Sequence, residues 1–321
     1  MSDNNEFETE ESEKRKLPVW TLPVLVGLIL ALTAGLLLFH YFAPDVPEEP
    51  VSASSEPVHT PIPGPDGEPA PMDVFFVDVG NGCCTILKTA DGHAMLVDAG
   101  HENDVPDICE LLDREGIRSF DIAVVSCADK GHMGGMASIL SEYLADVCYM
   151  TSECAESPAV RPLVQILKQR GIPVETVRAS YTSVFDWTEN VQIRILSPFD
   201  AVYDNEKDLS LMLRVSYGGT AVLLAGDAQK VAERLSVKAL PNSMLKSAVL
   251  LVGDHGDNDA TGEKFLSAVR PRIAVISCGK NNPPDASVLR SLEKAGARII
   301  DTETSGTIHI TLDGAEVSVI E

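Results

Sequence analysis

Four short apolar runs in this chain stop abruptly at polar residues. Ala94-Met95-Leu96-Val97 runs into Asp98, and Ile122-Ala123-Val124-Val125 into Cys127 and Asp129. Ala221-Val222-Leu223-Leu224 leads to Asp227, and Ala248-Val249-Leu250-Leu251-Val252 to Asp254 and His255. Uninterrupted apolar stretches of this length, bounded by glycine or charge, predict strands buried on both faces and covered by helices. The polar residues then collect along one edge of the sheets. Between the runs the apolar spacing changes to a helical period. Met136, Ile139, Leu140, Tyr143, Leu144 and Val147 predict a helix after Gly135. Pro162, Leu163, Ile166 and Leu167 begin a second that ends near Gly171, and Val288, Leu289, Leu292 and Ala295 mark a third that Gly296 stops. No internal period long enough for a repeat array is present.

The N-terminal part follows a different rule. From Leu17 to Ala43 there is no Asp, Glu, Lys or Arg. A helix of roughly 22 such residues spans about 33 Å, enough for about 30 Å of hydrocarbon, so residues 17–43 are expected to form one transmembrane helix. The stretch is too long for the apolar region of a signal peptide, and Phe39-His40-Tyr41-Phe42 supplies no small-residue cleavage site. Lys14-Arg15-Lys16 precedes the span, and no Lys or Arg follows until Lys88. The positive-inside rule therefore places the acidic tail, residues 1–16, in the cytoplasm and the large C-terminal part outside the cell. Residues 44–71, rich in proline, form an extended spacer that holds the domain clear of the membrane.

Charge and cysteine content narrow the field further. The chain has 48 acidic against 25 basic residues, a formal net charge of −23, and no basic patch is visible. Affinity for nucleic acid rests on Lys and Arg neutralising phosphates, so a tightly bound polyanion is not supported. A small-molecule or protein partner remains unnamed by the sequence. The seven cysteines have neither metal-knuckle spacing nor the even count of a disulfide framework, and Cys109, Cys148 and Cys278 lie in apolar runs as buried thiols.

One segment brings these observations together. Val124-Val125-Ser126-Cys127-Ala128-Asp129-Lys130-Gly131-His132-Met133-Gly134-Gly135 resembles the His-x-(His/Asp)-x-Asp-His loop of the metallo-β-lactamase fold. Val77-Asp78-Val79-Gly80-Asn81-Gly82, Leu96-Val97-Asp98-Ala99-Gly100, Leu224-Ala225-Gly226-Asp227, Val252-Gly253-Asp254-His255-Gly256, Ile276-Ser277-Cys278-Gly279-Lys280-Asn281-Asn282 and Asp301-Thr302-Glu303-Thr304-Ser305-Gly306-Thr307-Ile308 follow in the order of the ComEC-like branch, whose members include DNA-uptake proteins. The resemblance covers residues 72–321. It implies an α/β four-layer αββα sandwich, here preceded by the transmembrane helix.

The resemblance also implies a site. Asp129, His132 and Asp227 match family positions, Asp227 falling where the bridging carboxylate sits. Asp98 matches an aspartate that supports the site rather than binding metal, and His255 matches one His of a His-His-Gly-Ser motif. Cys127 stands for a His, Gly131 for an Asp, Asp254 for the other His of the pair, Asp257 for Ser and Cys83 for an Asp, and a His-Pro expected after Asn282 is missing. A binuclear zinc centre is therefore not expected. Cys thiolate and carboxylate are competent ligands, so Cys127, Asp129, His132, Asp227, Asp254 and His255 form the candidate set for a single zinc or manganese ion, with no ion as the expected state. Catalysis, where retained, falls to Asp227 and Asp129.

Two function classes follow. The first is a membrane-anchored domain with a degenerate active site, any residual activity being metal-dependent hydrolysis, of phosphodiesters by family analogy. The second is a non-catalytic binding or sensing module using the same sheet-edge cleft. A cysteine nucleophile at Cys127, activated by His132 or His255, ranks last because clustered carboxylates raise a thiol pKa. His93, His101 and His309 lie outside the motifs and are read as ordinary satisfied side chains.

The topology is directly testable. Protease added to intact cells is expected to degrade the region beyond residue 72 and leave an epitope on the N-terminal tail intact. Protection of the large domain would reverse the outward assignment.

Overall fold

The apolar runs emerge as strands in the computed structural model, which describes residues 70–320. The acidic tail, the span at 17–43 and the spacer as far as residue 69 lie outside the described residues. Among the described residues no helix is long and apolar enough to cross a membrane.

Among the described residues fifteen strands form two sheets. The first contains Met72–Phe76 (β1), Thr85–Lys88 (β2), Ala94–Val97 (β3), Phe120–Val124 (β4), Ala145–Met150 (β5) and Val174–Thr176 (β6). The second contains Val184–Asp186 (β7), Val191–Ser197 (β8), Met212–Tyr217 (β9), Thr220–Leu224 (β10), Val249–Leu251 (β11), Ile273–Ile276 (β12) and Arg298–Asp301 (β13), and the chain returns through Ile308–Leu312 (β14) and Val317–Ile320 (β15) to the first. The orders are β15-β14-β1-β2-β3-β4-β5-β6 and β13-β12-β11-β10-β9-β8-β7. Strands β3 to β6 run parallel, as do β10 to β13. Their C-terminal ends therefore share an edge within each sheet, and the polar residues that stop the apolar runs lie there.

Alternation along each strand builds the layers. Met95, Val97, Ile122 and Val124 of one sheet meet Val222, Leu224, Val249 and Leu251 of the other in the central core. Leu96, Phe120 and Ala123 turn outward onto Ile108, Leu111 and Leu112 of the helix Val105–Arg114 and onto Met136, Ile139 and Leu140 of the helix Met136–Glu142. On the opposite side Leu223 and Leu250 meet Ala232 of the helix Lys230–Ala239, Phe265 and Leu266 of Glu263–Val269, and Val288 and Leu292 of Ala286–Lys294. The result is a two-sheet α/β sandwich with helices on both outer faces.

One expected helix is shorter than its apolar spacing suggests. Helix Met136–Glu142 ends at Tyr143, whose backbone is extended, and Val147 belongs to β5. Leu144 is solvent-exposed in the connection between them. The helical spacing ran on because a half-buried strand residue happened to fall in phase with it. The helix Arg161–Arg170 ends as expected on Gly171, which adopts the left-handed conformation at φ 74°.

A buried acid pins the loop that leaves β11. Glu233, 2% exposed, accepts from the backbone N–H groups of Thr261 at 2.6 Å and Gly262 at 2.8 Å. Burial pushes its pKa up to about 7, although those two donors and Lys230 work the other way. The folded chain thus binds this proton more tightly than the unfolded chain, whose value is near 4.5. Stability linked to Glu233 is present at low pH and is lost as pH rises from about 4.5 through about 7, by up to about 3 kcal/mol. Urea unfolding between pH 4.5 and 7.5 is therefore expected to show wild type losing stability relative to Glu233→Gln as pH rises. Parallel pH curves would remove Glu233 as the titrating group.

Candidate functional site

Asp98 follows β3 and sits in the left-handed region at φ 58°, a conformation an aspartate tolerates better than most side chains. The backbone turn directs its carboxylate under the loop after β4. Asp98 Oδ1 accepts from the Ser126 N–H at 2.8 Å, and Oδ2 accepts from Ser126 Oγ at 2.6 Å and His132 Nδ1 at 2.8 Å. Both Asp98 and His132 are 1% exposed. A carboxylate only accepts, so His132 carries its proton on Nδ1 and directs Nε2 the other way. Asp98 is thus the positioning carboxylate that its motif implied.

Across the cleft, Asp227 ends the turn after β10, where Gly226 takes φ 54°. Its Oδ1 lies 3.0 Å from His132 Nε2 and 3.5 Å from His255 Nε2. His255, in the loop after β11, donates from Nδ1 to the Ser277 carbonyl at 2.9 Å, and Ser277 directly follows β12. Each imidazole is therefore tied back through Nδ1 and presents Nε2 to the same carboxylate oxygen. Cys127 Sγ completes the group, 4.0 Å from Asp227 Oδ2. One ligand atom each from Cys127, His132 and Asp227 lie within 4.8 Å of one another.

Among the described residues neither His132 Nε2 nor Asp227 Oδ1 has a hydrogen-bond partner, although the two are buried and close. Two lone-pair atoms at that separation repel unless a positive charge lies between them. Burial opposes a charged ring, yet the neighbouring Cys127, Asp227 and Asp98 hold the His132 pKa well above the ordinary imidazole value. Burial likewise opposes a charged Asp227, and His132, His255 and Lys207 together hold its carboxyl well below the usual range. Burial pushes the Cys127 thiol up, against the influence of His132. A proton on His132 Nε2 or a metal ion satisfies this charge balance, and an imidazole, carboxylate and thiol set is one that zinc accepts.

The other proposed ligands are placed differently. Asp129 is exposed and caps the short helix Lys130–Met133, its Oδ1 accepting from the Gly131 N–H at 2.7 Å. Asp254 is buried at φ 47°, beside His255 at φ 53°, but both its oxygens are occupied. Lys207 Nζ donates to Oδ1 and Gln229 Nε2 to Oδ2, each at 2.6 Å. Gly131, which stands where the family has a ligand, lies against the Asn81–Gly82 turn. A Cβ at Gly131 would meet Asn81 O at 3.0 Å and Gly82 Cα at 3.3 Å, and Cys83 N donates to Gly131 O at 2.9 Å. The turn fills the space a ligand side chain would need.

Lys207, Gln229 and Ser277 escaped the sequence reading. Ser277 at least fell within a motif, whereas Lys207 sits in the acidic stretch Asp204-Asn205-Glu206-Lys207-Asp208, where nothing marks it out. Cys83, read as a departure from the family pattern, lies with Asp98 and His132 in a second group of ligand-type atoms within 4.8 Å. His93, His101 and His309 pair with Asp121, Asp104 and Asp73 at 2.9, 3.4 and 2.8 Å. All seven cysteines are free.

The site opens into a cleft of about 1070 Å³ whose lining includes Cys127, Asp129, Glu153, Asp204, Lys207 and Asp227. Glu153 is engaged by Arg178, leaving Lys207 as the basic residue of the lining.

Because Asn suits the left-handed backbone, Asp98→Asn removes the charge with little change of shape. It is expected to cost about 1.5–3 kcal/mol in urea unfolding, the scale of hydrogen bonds to a charged group. A change below about 0.5 kcal/mol would mean that Ser126 and His132 hold their positions unaided.

The chain has clear relatives. It is 31% identical over 246 residues to Recombination protein 2 of Haemophilus influenzae, covering 74% of this chain and 28% of that protein. It is 30% identical over 203 residues to ComE operon protein 3 of Bacillus subtilis, covering 62% of this chain and 25% of that protein. The chain thus spans about a quarter of the length of these curated relatives. No protein-family profile matches it. Among solved structures, a metal-dependent hydrolase of the β-lactamase superfamily aligns with a TM-score of 0.50 and 14% identity, over 75% of this chain and 98% of that one. At that identity the likeness bears on the fold alone.

Proposed function

We propose that this chain, which belongs to the ComEC-like branch of the metallo-β-lactamase superfamily, is a membrane-anchored, outward-facing hydrolase with an altered, one-metal centre. The observation that carries this reading is the convergence of His132 Nε2 and His255 Nε2 on Asp227 Oδ1, at 3.0 and 3.5 Å, with each ring tied back through Nδ1. Imidazoles held in this way, by a carboxylate and a carbonyl, are the outer support that metal-ligating histidines need. Cys127, His132 and Asp227 would hold the ion, with His255 beside Asp227 as the further donor, and the thiolate would favour zinc over manganese. When bound, the ion supplies the Lewis acidity that activates water at neutral pH.

The protein's own groups do the rest. Asp98 fixes the His132 ring, the Ser277 carbonyl fixes His255, and Asp227 stays ionised beside them. Asp129, exposed on the rim of the cleft, is the carboxylate placed to exchange protons with a substrate. The substrate is a small phosphodiester rather than a polymer. A cleft lined by Asp129, Glu153, Asp204 and Asp227, in a chain of net charge −23, repels a long phosphate backbone.

A second reading, a non-catalytic binding module, draws on the same donors. With all four of Cys127, His132, Asp227 and His255 on the ion the coordination sphere would close, as in structural zinc sites, whereas turnover requires His255 to stay off the ion and leave that position to water.

Elemental analysis and turnover of a chromogenic phosphodiester separate the two. Full-length chain purified without chelator is expected to carry one zinc, and Asp227→Ala to lose both metal and turnover. A hundredfold excess of zinc over its dissociation constant is expected to stabilise wild type by roughly 2.7 kcal/mol. Stoichiometric metal without turnover selects the binding module, and a metal-free chain whose stability ignores zinc defeats the one-metal centre.

A further inference from the structure

Asp227 and Asp254 stand at the ends of neighbouring strands, β10 and β11, yet only Asp227 is left with an unpartnered oxygen. Asp254 is 2% exposed and held in the left-handed conformation, with one oxygen on Lys207 Nζ and the other on Gln229 Nε2. The lysine does not reach it by chance. Lys207 lies in the short turn Glu206–Leu209, which Asn205 caps by accepting from the Lys207 N–H at 3.0 Å. Asn205 Nδ2 also donates to Gln229 Oε1 at 2.7 Å, and the buried Asp208 accepts from the N–H groups of Gln229 at 3.2 Å and Ala232 at 2.9 Å. The turn, the glutamine and the aspartate form one braced unit that delivers an ammonium to the cleft beside Cys127 and Asp227.

On the one-metal reading above, we propose that Lys207 is a built-in replacement for a second metal ion. Its ammonium neutralises Asp254, occupies the oxygen through which that carboxylate would bind a second cation, and repels any divalent ion from that half of the centre. Gln229 closes the remaining oxygen. The residue that sets the metal number is therefore a lysine from a loop outside the ligand motifs, and Asp254 is a charge partner in wild type rather than a ligand.

The test is metal capacity. Full-length wild type, titrated with zinc and analysed for bound metal after desalting, is expected to saturate at one ion per chain. Lys207→Met frees Asp254 and is expected to raise the capacity toward two, with a second, weaker step in the titration. Lys207→Arg keeps the charge and keeps one ion. Adding Asp254→Asn to Lys207→Met returns the capacity to one. Lys207→Ala, which leaves the same oxygen of Asp254 open without a longer apolar chain beside it, guards against a chain that does not fold and is expected to show the same second step. Wild type with one ion and both neutral variants also with one overturns the role of Lys207 alone. Wild type with two ions overturns it as well, while wild type with none removes the one-metal reading and this inference with it.

Discussion

The centre depends on a carboxylate that the solvent never reaches. Asp98 accepts three hydrogen bonds, two from Ser126 and one from His132, and all three donors come from the segment that follows β4. A buried charge is tolerated only where such donors surround it, and removing a donor leaves an uncompensated ion. The arrangement is therefore mutual. Asp98 needs the β4 loop to be placed where it is, and the loop places His132 Nε2 only because Asp98 holds Nδ1. The Ser126 carbonyl also accepts from Leu211 N at 2.8 Å, and Ser277 Oγ donates to the Gly82 carbonyl at 2.7 Å, so the site stitches the two sheets at their shared edge.

Strain is concentrated at the same edge. Asp98, Asp254 and His255 all occupy the left-handed region, which costs an ordinary side chain of order 1–3 kcal/mol. Three such residues persist because each side chain is fixed by partners that only this backbone allows. The deep burial of Glu233 serves the far end of the loop carrying Asp254 and His255, whose return path it fixes at Thr261 and Gly262. A short 3-10 turn held at both ends can keep two consecutive left-handed residues where a free loop would relax.

The legible part of the molecule was the part governed by periodicity. Runs such as Ala221 to Leu224 became strands because a helix-covered parallel strand needs apolar residues on both faces, and their polar stops marked the functional edge. Asp98, Asp227 and His255 were legible for that reason, whereas His132 is read from the resemblance of its loop to the metallo-β-lactamase motif. What stayed hidden depended on pairing across the fold. Nothing local distinguishes Asp254, committed to Lys207 and Gln229, from Asp227, which keeps an oxygen without a partner. Asp129 reads as a ligand from its match to the family motif, and the structure adds a second role, because the first turn of a helix has unpaired N–H groups and Asp129 Oδ1 caps one of them. Gly131 read as a lost ligand, whereas the close approach of the Asn81–Gly82 turn gives the glycine a packing reason of its own.

Cys127 links these constraints to metal chemistry. Without a cation its thiol stays protonated, because burial and two neighbouring carboxylates disfavour the thiolate, and its Sγ–H donates toward Asp227. The same surroundings keep a proton on His132 between Asp98 and Asp227. A divalent ion on Cys127 and His132 would displace a proton from each, so on the one-metal reading the affinity of the centre would rise with pH. The protein spends no separate device on stabilising the empty state. The His132 imidazolium and the Lys207 ammonium balance the buried acids, and of these two charges only that of Lys207 would stay in place beside a bound metal.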